Sequence, residues 1–283
     1  MTKDVAVAAS NTDQAHAWDG SEGEYWAAHA DRFERAMVRY NSPFLAAAAI
    51  LAGDRVIDIG CGTGDTTRAA ARLAGRGSAL GVDLSGQMIG VARHRAAAEN
   101  ISNAQFIQAD AQIYPFPQDA AQVIISRTGA MFFGDPAAAF TNLARALQPG
   151  GRLVLLVWQP LARNEWISVI TAELAAGRPV PVPPPGSPGP FSMSDPARLR
   201  GILAGAGFGN MRIESRAEPM CFGPTADDAH QFIAGLTAWM LQGLDDDARH
   251  DVLAGLRAVL GQHETPDGVL FGSAAWLVTA TRS

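Results

Sequence analysis

Between residues 53 and 158 the chain alternates short apolar runs with alanine-rich stretches, and this alternation constrains the fold more than any other feature. The apolar runs are rich in Val, Ile and Leu, and each is only five to seven residues long. Continuous apolar strands separated by helices predict a parallel sheet that is covered on both faces. The predicted strands are Arg55–Ile59, Ser78–Asp83, Ala104–Ala109, Ala121–Ser126 and Arg152–Trp158, and the predicted helices are Asp65–Ala74, Gly86–Glu99 and Pro136–Leu147.

The chain divides into a helical start and an α/β remainder. Residues 1–50 carry apolar side chains at helical spacing and are predicted to form an N-terminal helical cap. Residues 51–283 form the α/β domain. Within it we expect a loop region over 160–195 and a helical insertion over 225–262, between the last two strands, as parts of a substrate lid.

Composition excludes several classes of protein. Of the 283 residues 48% are hydrophobic, which excludes global disorder, and the formal charge of −6 disfavours a nucleic-acid partner. Two cysteines cannot make a disulfide framework or a cysteine zinc site, and no acidic or histidine cluster indicates a metal. No secretory signal and no apolar run long enough for a membrane span are apparent. We therefore expect a cytoplasmic protein with no membrane partner.

A glycine-rich turn, Val56-Ile-Asp-Ile-Gly-Cys-Gly-Thr-Gly64, joins the first predicted strand to the first predicted helix. Gly60 and Gly62 allow the backbone to bend sharply and approach a ligand, and the following helix start attracts an anionic group. Asp83 and Asp110 end the next two strands. Such a turn also occurs without a ligand, but acidic strand ends at one edge of the sheet favour a nucleoside site.

These residues resemble the class I S-adenosylmethionine-dependent methyltransferases. The resemblance is dense over residues 54–160 and loose over 195–283. It is carried by Asp58-Ile-Gly-Cys-Gly-Thr-Gly64, Asp83-Leu-Ser-Gly-Gln-Met88, Asp110-Ala111 and Pro149-Gly-Gly-Arg-Leu153. A bacterial small-molecule subgroup is indicated by Ala17-Trp-Asp-Gly20, Tyr25-Trp26, Ser126-Arg127, Met131-Phe-Phe-Gly-Asp-Pro136 and Trp158.

The resemblance implies a Rossmann-like sheet of seven strands in the order three-two-one-four-five-seven-six, mostly parallel with an antiparallel last strand. It implies S-adenosylmethionine as cofactor and S-adenosylhomocysteine as product. Asp83 would bind the ribose hydroxyls, and Asp110 would accept from the adenine amino group. Trp26 is added because an aromatic face attracts a sulfonium, with a place in the helix core as the alternative. The predicted cofactor residues are Trp26, Asp58, Gly60, Cys61, Gly62, Asp83, Leu84, Met88, Asp110, Ala111 and Ser126.

Methyl transfer needs an aligned acceptor and, for a hydroxyl or amine, a proton acceptor. His29 and His230 are the predicted bases, although a single histidine is more often structural. Arg127 is predicted to grip an acidic group of the acceptor or to pair with a nearby acid. Phe132 and Trp158 are predicted to wall an apolar acceptor pocket, with a place in the core as the alternative.

Other functions remain as alternatives. A dinucleotide site is disfavoured because the third glycine, Gly64, comes one residue early for the nicotinamide pattern. Ser126-Arg-Thr-Gly129 replaces the Asn/Asp-Pro-Pro-Tyr/Phe motif of amino-methylating nucleic-acid enzymes. We expect a small, partly apolar or aromatic acceptor methylated on O, N or C. A macromolecular acceptor and a non-catalytic nucleotide-binding protein are the alternatives, and the oligomeric state stays open, a homodimer included.

Overall fold

The computed structural model describes residues 5–180, 183–184 and 186–283. Three helices form the start of the chain, and an α/β domain follows. The elements are α1 (Thr12–Trp18), α2 (Ser21–Ala28), α3 (Ala30–Ala48), β1 (Arg55–Ile59), α4 (Asp65–Ala74), β2 (Ser78–Asp83), α5 (Gly86–Ala98), β3 (Ala104–Gln108), β4 (Ala121–Arg127), α6 (Pro136–Ala146), β5 (Leu147–Trp158), α7 (Glu165–Ala175), α8 (Pro196–Gly205), β6 (Phe208–Cys221), α9 (Ala226–Leu236), α10 (Asp246–Gln262), β7 (Glu264–Thr265) and β8 (Gly268–Arg282).

The strands lie in the order β3-β2-β1-β4-β5-β8-β6, and the two-residue strand β7 pairs only with β8. Strand β1 is parallel to β2 on one side and to β4 on the other, with Ile57 opposite Leu80 and Ile124. Strand β8 is antiparallel to both β5 and β6. The predicted sheet order and the antiparallel last strand are therefore confirmed.

The strands are apolar because both faces of the sheet are covered. Val123, Ile124 and Ile125 of β4 are completely buried at the centre of the sheet. Helices α5 and α6 begin where side chains cap them: Ser85 accepts from the Met88 amide, and Asp135 accepts from the Ala138 amide. Burial on two faces and local capping together explain why these strands and helices can be predicted from sequence.

The helical cap packs onto the last strands of the sheet. Tyr40 and Phe44 of α3 are fully buried, and the Tyr40 hydroxyl lies 2.7 Å from the Ser273 hydroxyl on β8. The structure thus places three helices within the predicted cap of residues 1–50. The division of the chain into cap and domain stays a prediction.

The predicted loop region 160–195 is wrong in part, because it contains helix α7. Its apolar residues Trp166, Ile170 and Leu174 recur at helical spacing, and Ile170 and Leu174 are buried. A proline-rich segment follows α7, and its prolines cannot continue a helix. Pro181, Val182 and Pro185 of that segment lie outside the described residues.

The predicted insertion 225–262 is helical but consists of separate pieces. Helix α9 ends at Leu236, a short 3-10 turn covers Ala238–Leu241, and α10 follows. None of the described helices combines the length and apolar character needed to cross a membrane.

Candidate functional site

The glycine-rich turn lies at the carboxyl end of β1 and has left-handed backbone at three positions. The φ angles are +63° at Gly60, +53° at Gly62 and +82° at Gly64. A side chain at Gly60 would place its Cβ only 2.7 Å from the Cα of Gly129, which follows β4. Glycine is therefore required both by conformation and by the close crossing of two loops.

Asp83 ends β2 beside this turn and holds it in place. Its Oδ2 accepts from the Gly62 amide at 2.8 Å, and its Oδ1 accepts from the Ser85 amide at 2.9 Å. Burial raises the pKa of the Asp83 carboxyl above its ordinary value, while the backbone amides oppose that shift. The carboxylate is thus fixed at the edge of the sheet before any ligand binds.

Asp58 lies beneath the turn and is fully buried. The hydroxyls of Thr66 and Thr67 both donate to Oδ2 at 2.6 Å, which ties the first turn of α4 to β1. Among the described residues Oδ1 has no hydrogen-bond partner. Removal from water raises the pKa of the Asp58 carboxyl to about 6. Asp58 does not line the cavity at this edge of the sheet, so its predicted contact with the cofactor would act through the turn or a water.

Asp110 closes the far end of the site together with the N-terminal segment. The Asn11 side-chain amide donates to Oδ1 at 3.0 Å, and the Ala8 amide donates to Oδ2 at 3.0 Å. The Gln112 amide adds a third bond to Oδ1, at 2.9 Å. A carboxylate has about four acceptor positions. One position therefore remains for a ligand amino group, and the predicted adenine contact stays a prediction.

One cavity of about 770 Å³ runs along this edge, from Asp110 past the glycine-rich turn to Trp158. Such a volume is within the range of sites that enclose a small molecule. One end is polar, with Asp83, Asp110 and backbone groups. The other end is walled mainly by aromatic and aliphatic side chains: Phe33, Met37, Trp158, Trp166, Ile170, Met220, Phe222, Phe232, Leu236, Trp239 and Met240.

The cavity is covered by a roof, which consists of helices α2 and α3 of the cap and helix α9 of the insertion. The Tyr25 hydroxyl of α2 donates to the Phe232 carbonyl of α9 at 2.6 Å. The Arg32 guanidinium pairs with Asp228, at 2.5 Å, and donates to the Phe222 carbonyl at 2.9 Å. Helices from opposite ends of the chain are thereby joined over the carboxyl edge.

Most of the predicted site residues line this cavity. Aromatic rings of the cap surround Trp26, which stacks on Phe33 with ring centroids 3.5 Å apart. Burial raises the pKa of the Cys61 thiol well above its ordinary value, so the thiol is not poised as a nucleophile. The lining residues that were predicted are Trp26, Gly60, Cys61, Gly62, Asp83, Leu84, Met88, Asp110, Ala111, Arg127, Phe132 and Trp158.

Ser126 was predicted as a cofactor residue, but the structure gives it a different place. It is buried outside the cavity lining, where its hydroxyl donates to the Ile59 carbonyl at 2.8 Å. The same oxygen accepts from the Ala130 amide at 3.0 Å. Ser126 therefore holds the crossing of the β1 and β4 loops and shapes the cavity from behind.

The two predicted bases also lie outside the cavity lining. His29 places Nδ1 2.9 Å from the Tyr25 carbonyl, and its ring stacks on Tyr25 at 4.0 Å. His230 places Nε2 3.0 Å from the Leu253 carbonyl, on the side of α9 that faces α10. Each imidazole is engaged by backbone and neighbouring elements. The structure therefore does not bring His29 and His230 into the cavity lining, and their role as bases stays a prediction.

Arg127 lines the cavity as an ion-paired residue. Its Nη1 lies 3.0 Å from Asp65 Oδ2 and also contacts the Asn41 side-chain oxygen. The Asn41 amide donates to the same Asp65 oxygen at 3.1 Å. Of the two predicted roles, the pair with a nearby acid is present. Among the described residues that line the cavity, Arg127 is the sole cation.

Sequence reasoning missed most of the apolar wall. Helix α7 contributes Trp166 and Ile170, and the insertion contributes Phe232 and Trp239. The helical spacing in α7 was a usable signal. No signal indicated which face of the insertion turns inward, because that depends on packing against α2 and α3.

Comparisons with known proteins agree with this architecture. Residues 56–151 match the family model described as a methyltransferase domain. A ubiquinone/menaquinone biosynthesis C-methyltransferase of Teredinibacter turnerae is 40% identical over 106 residues, which are 37% of this chain and 43% of that relative. The chain thus aligns with less than half of that relative's length.

Two solved structures show the same fold over most of the chain. The YcgJ protein of Bacillus subtilis has a TM-score of 0.60 at 20% identity, covering 87% of this chain and 98% of that one. Phosphoethanolamine N-methyltransferase 2 of Haemonchus contortus, in complex with phosphomonomethylethanolamine and S-adenosylhomocysteine, has a TM-score of 0.59 at 20% identity. That alignment covers 98% of this chain and 60% of the other.

The fold and the site define a doubly wound α/β protein with a cavity at the carboxyl edge of its sheet, where open α/β folds bind ligands. Residues 56–151 are similar to a methyltransferase domain, and the curated relative that the chain resembles over 106 residues is a C-methyltransferase.

Proposed function

We propose that this protein transfers a methyl group from S-adenosylmethionine to a small, uncharged, largely apolar or aromatic acceptor. The observation that carries the proposal is the division of one roofed cavity into a polar end and an aromatic end. The polar end fits a nucleoside, and the aromatic end leaves room for a second molecule beside it.

The polar end has the chemical groups that this cofactor needs. A fixed carboxylate on Asp83 suits ribose hydroxyls, and Asp110 with the Ala111 amide suits the adenine ring. Left-handed glycines let the backbone approach the methionine end closely. One Asp58 oxygen beneath the turn has no partner within the described part of the chain, and it suits a cationic group or a bridging water. When bound, the sulfonium would supply an electrophilic methyl carbon.

The aromatic end selects against charged acceptors. A phosphate would need a cation beside it, and none of the described residues that wall the aromatic end is positively charged. Polar side chains in this wall are satisfied internally: the Thr171 hydroxyl donates to the Ile167 carbonyl and that of Thr237 to the Ile233 carbonyl. The similarity to a C-methyltransferase of ubiquinone/menaquinone biosynthesis supports a ring-containing acceptor.

The protein's contribution to rate is then mainly positional. The aromatic wall orients the acceptor, and the roof of α2, α3 and α9 excludes water from the reacting groups. Glu34 and Asp65, two carboxylates of the lining, are paired with Arg95 and Arg127. Neither paired acid is free to serve as a general base.

The test is a transfer assay that measures release of S-adenosylhomocysteine. Neutral phenols, quinols and indoles form one panel, and phosphorylated compounds of matched size form the other. We expect turnover with members of the neutral panel and none with the phosphorylated panel. Asp83→Ala is the control for cofactor-dependent release. Turnover confined to phosphorylated compounds, protein or RNA would contradict the proposal.

A further inference from the structure

The polar groups of the cavity follow the order of the strands. Asp110 lies after β3 and Asp83 at the end of β2, the glycine-rich turn follows β1, and Arg127 ends β4. An extended nucleoside ligand placed with its base at β3 and its ribose at β2 therefore directs its remaining part toward β1 and β4. The next strand, β5, ends at Trp158, where the apolar wall begins.

Beyond the turn the cavity offers two kinds of surface. On one side Arg127, Asp65 and Asn41 form a closed triangle of polar contacts. On the other side the wall is apolar, with Trp158 and Trp166 as its first members. The amino-acid end of S-adenosylmethionine carries a carboxylate and an ammonium. Burying those charges against an apolar wall would be costly, so the polar triangle is the favourable side.

Arg127 has donors left to offer at this position. Its protein contacts within the described part of the chain all use Nη1, and neither Nε nor Nη2 donates to any described residue. The side chain is 11% exposed, and the residue lines the cavity. A guanidinium presents Nε and Nη2 as a planar fork that matches the two oxygens of a carboxylate.

We propose that Arg127 binds the carboxylate of the cofactor's methionine end, with Asp65 and Asn41 as positioning residues that hold the guanidinium. This inference rests on the proposed function. It assigns Arg127, the sole cation among the described residues that line the cavity, to the cofactor. The acceptor is then left without a charged partner. Asp65 also sits in the first turn of α4, next to the turn that cradles the same end of the ligand.

The inference is tested by calorimetric titration with two ligands that differ only in the carboxylate. One ligand is S-adenosylhomocysteine, and the other is its decarboxylated analogue. Wild-type protein should bind the first about tenfold more tightly, as expected for one charge-assisted contact. In Arg127→Gln that preference should disappear, while affinity for the decarboxylated analogue stays within about twofold of wild type.

Arg152→Gln is the matched control, because Arg152 pairs with Asp54 at 3.1 Å and does not line the cavity. It should keep the wild-type preference. If Arg127→Gln does not fold, Arg127→Lys keeps the charge without the fork and should reduce the preference only in part. An unchanged preference in either Arg127 variant, or an equal loss for both ligands, would overturn the inference. Failure of wild-type protein to bind either ligand would instead refute the proposed function.

Discussion

At the residue scale, the buried carboxylates affect both the stability of the folded protein and the binding of a ligand. Asp58 and Asp83 are each withdrawn from water, and burial raises the pKa of both. Asp83 retains two amide donors, whereas one oxygen of Asp58 has no partner among the described residues. Sites that bind charged ligands commonly keep such costly groups in place.

The pH dependence of stability should reveal Asp58. Its pKa is about 6 in the folded protein and 3.8 ordinarily, so the folded state holds a proton that the unfolded state has released. Its contribution to stability is present below pH 3.8 and is lost as pH rises through about 6, by up to about 3 kcal/mol. Urea unfolding of wild type and Asp58→Asn between pH 4 and 7 should give a flatter profile for the variant. Parallel profiles would contradict the assigned burial.

Replacement of Asp83 should weaken cofactor binding without unfolding the protein. Asp83→Ala removes the acceptor for ribose hydroxyls and frees the Gly62 amide, which should cost about 2 kcal/mol of binding, or about thirtyfold in affinity. Calorimetry with S-adenosylhomocysteine measures the loss. Asp227→Ala, which removes an exposed acid paired with Arg257, is the control. Equal affinity of the Asp83 and Asp227 variants for S-adenosylhomocysteine would show that Asp83 does not contact the cofactor.

Gly129 should be intolerant of a side chain, although nothing in its sequence context marked it. A Cβ there would lie 2.7 Å from Gly60 Cα and 2.8 Å from the Ile59 carbonyl oxygen. Gly129→Ala should therefore displace the glycine-rich turn and lower both thermal stability and cofactor affinity. Gly90→Ala, in α5 with open space around it, should instead be neutral or stabilising by about 0.5–1 kcal/mol. Similar melting temperatures for the two variants would show that the loop crossing can relax.

At the element scale, the sequence predicted the strands well and the roof poorly. β1 and β2 have the predicted limits, because a strand buried on both faces reads as a continuous apolar run. Helix α7 was not predicted, because a proline-rich segment follows it, although Ile170 and Leu174 recur at helical spacing. The contacts of α9 with the cap arise from distant parts of the chain, and local patterns do not encode them.

The contacts of Arg32 that connect the cap to the insertion should control opening of the cavity. Arg32→Gln removes the pair with Asp228 and the cation–π contact with Phe232, whose ring centroid lies 4.5 Å from the guanidinium carbon. Hydrogen exchange in α9 should become faster, while that in β4 should not change. Arg72→Gln, which breaks an exposed ion pair between α4 and Glu99, is the control. Unchanged exchange in α9 would show that the roof does not depend on these contacts.

At the scale of the whole molecule, the polar end of the cavity was predictable and the aromatic end was not. The residues of the polar end follow strand ends in sequence, so a motif places them together. The aromatic end is assembled from α3, α7, β6 and α9, and its members share only apolar character. His29 and His230 illustrate the difference, since their residue type suggested chemistry while their packing engages both elsewhere.

The most direct test of the account is titration of the purified protein with S-adenosylhomocysteine, with NADH in parallel. The cavity and its acidic strand ends predict one site of roughly micromolar affinity for the first ligand and no binding of the second. Absence of S-adenosylhomocysteine binding by folded protein, or binding of NADH in its place, would contradict the central claim.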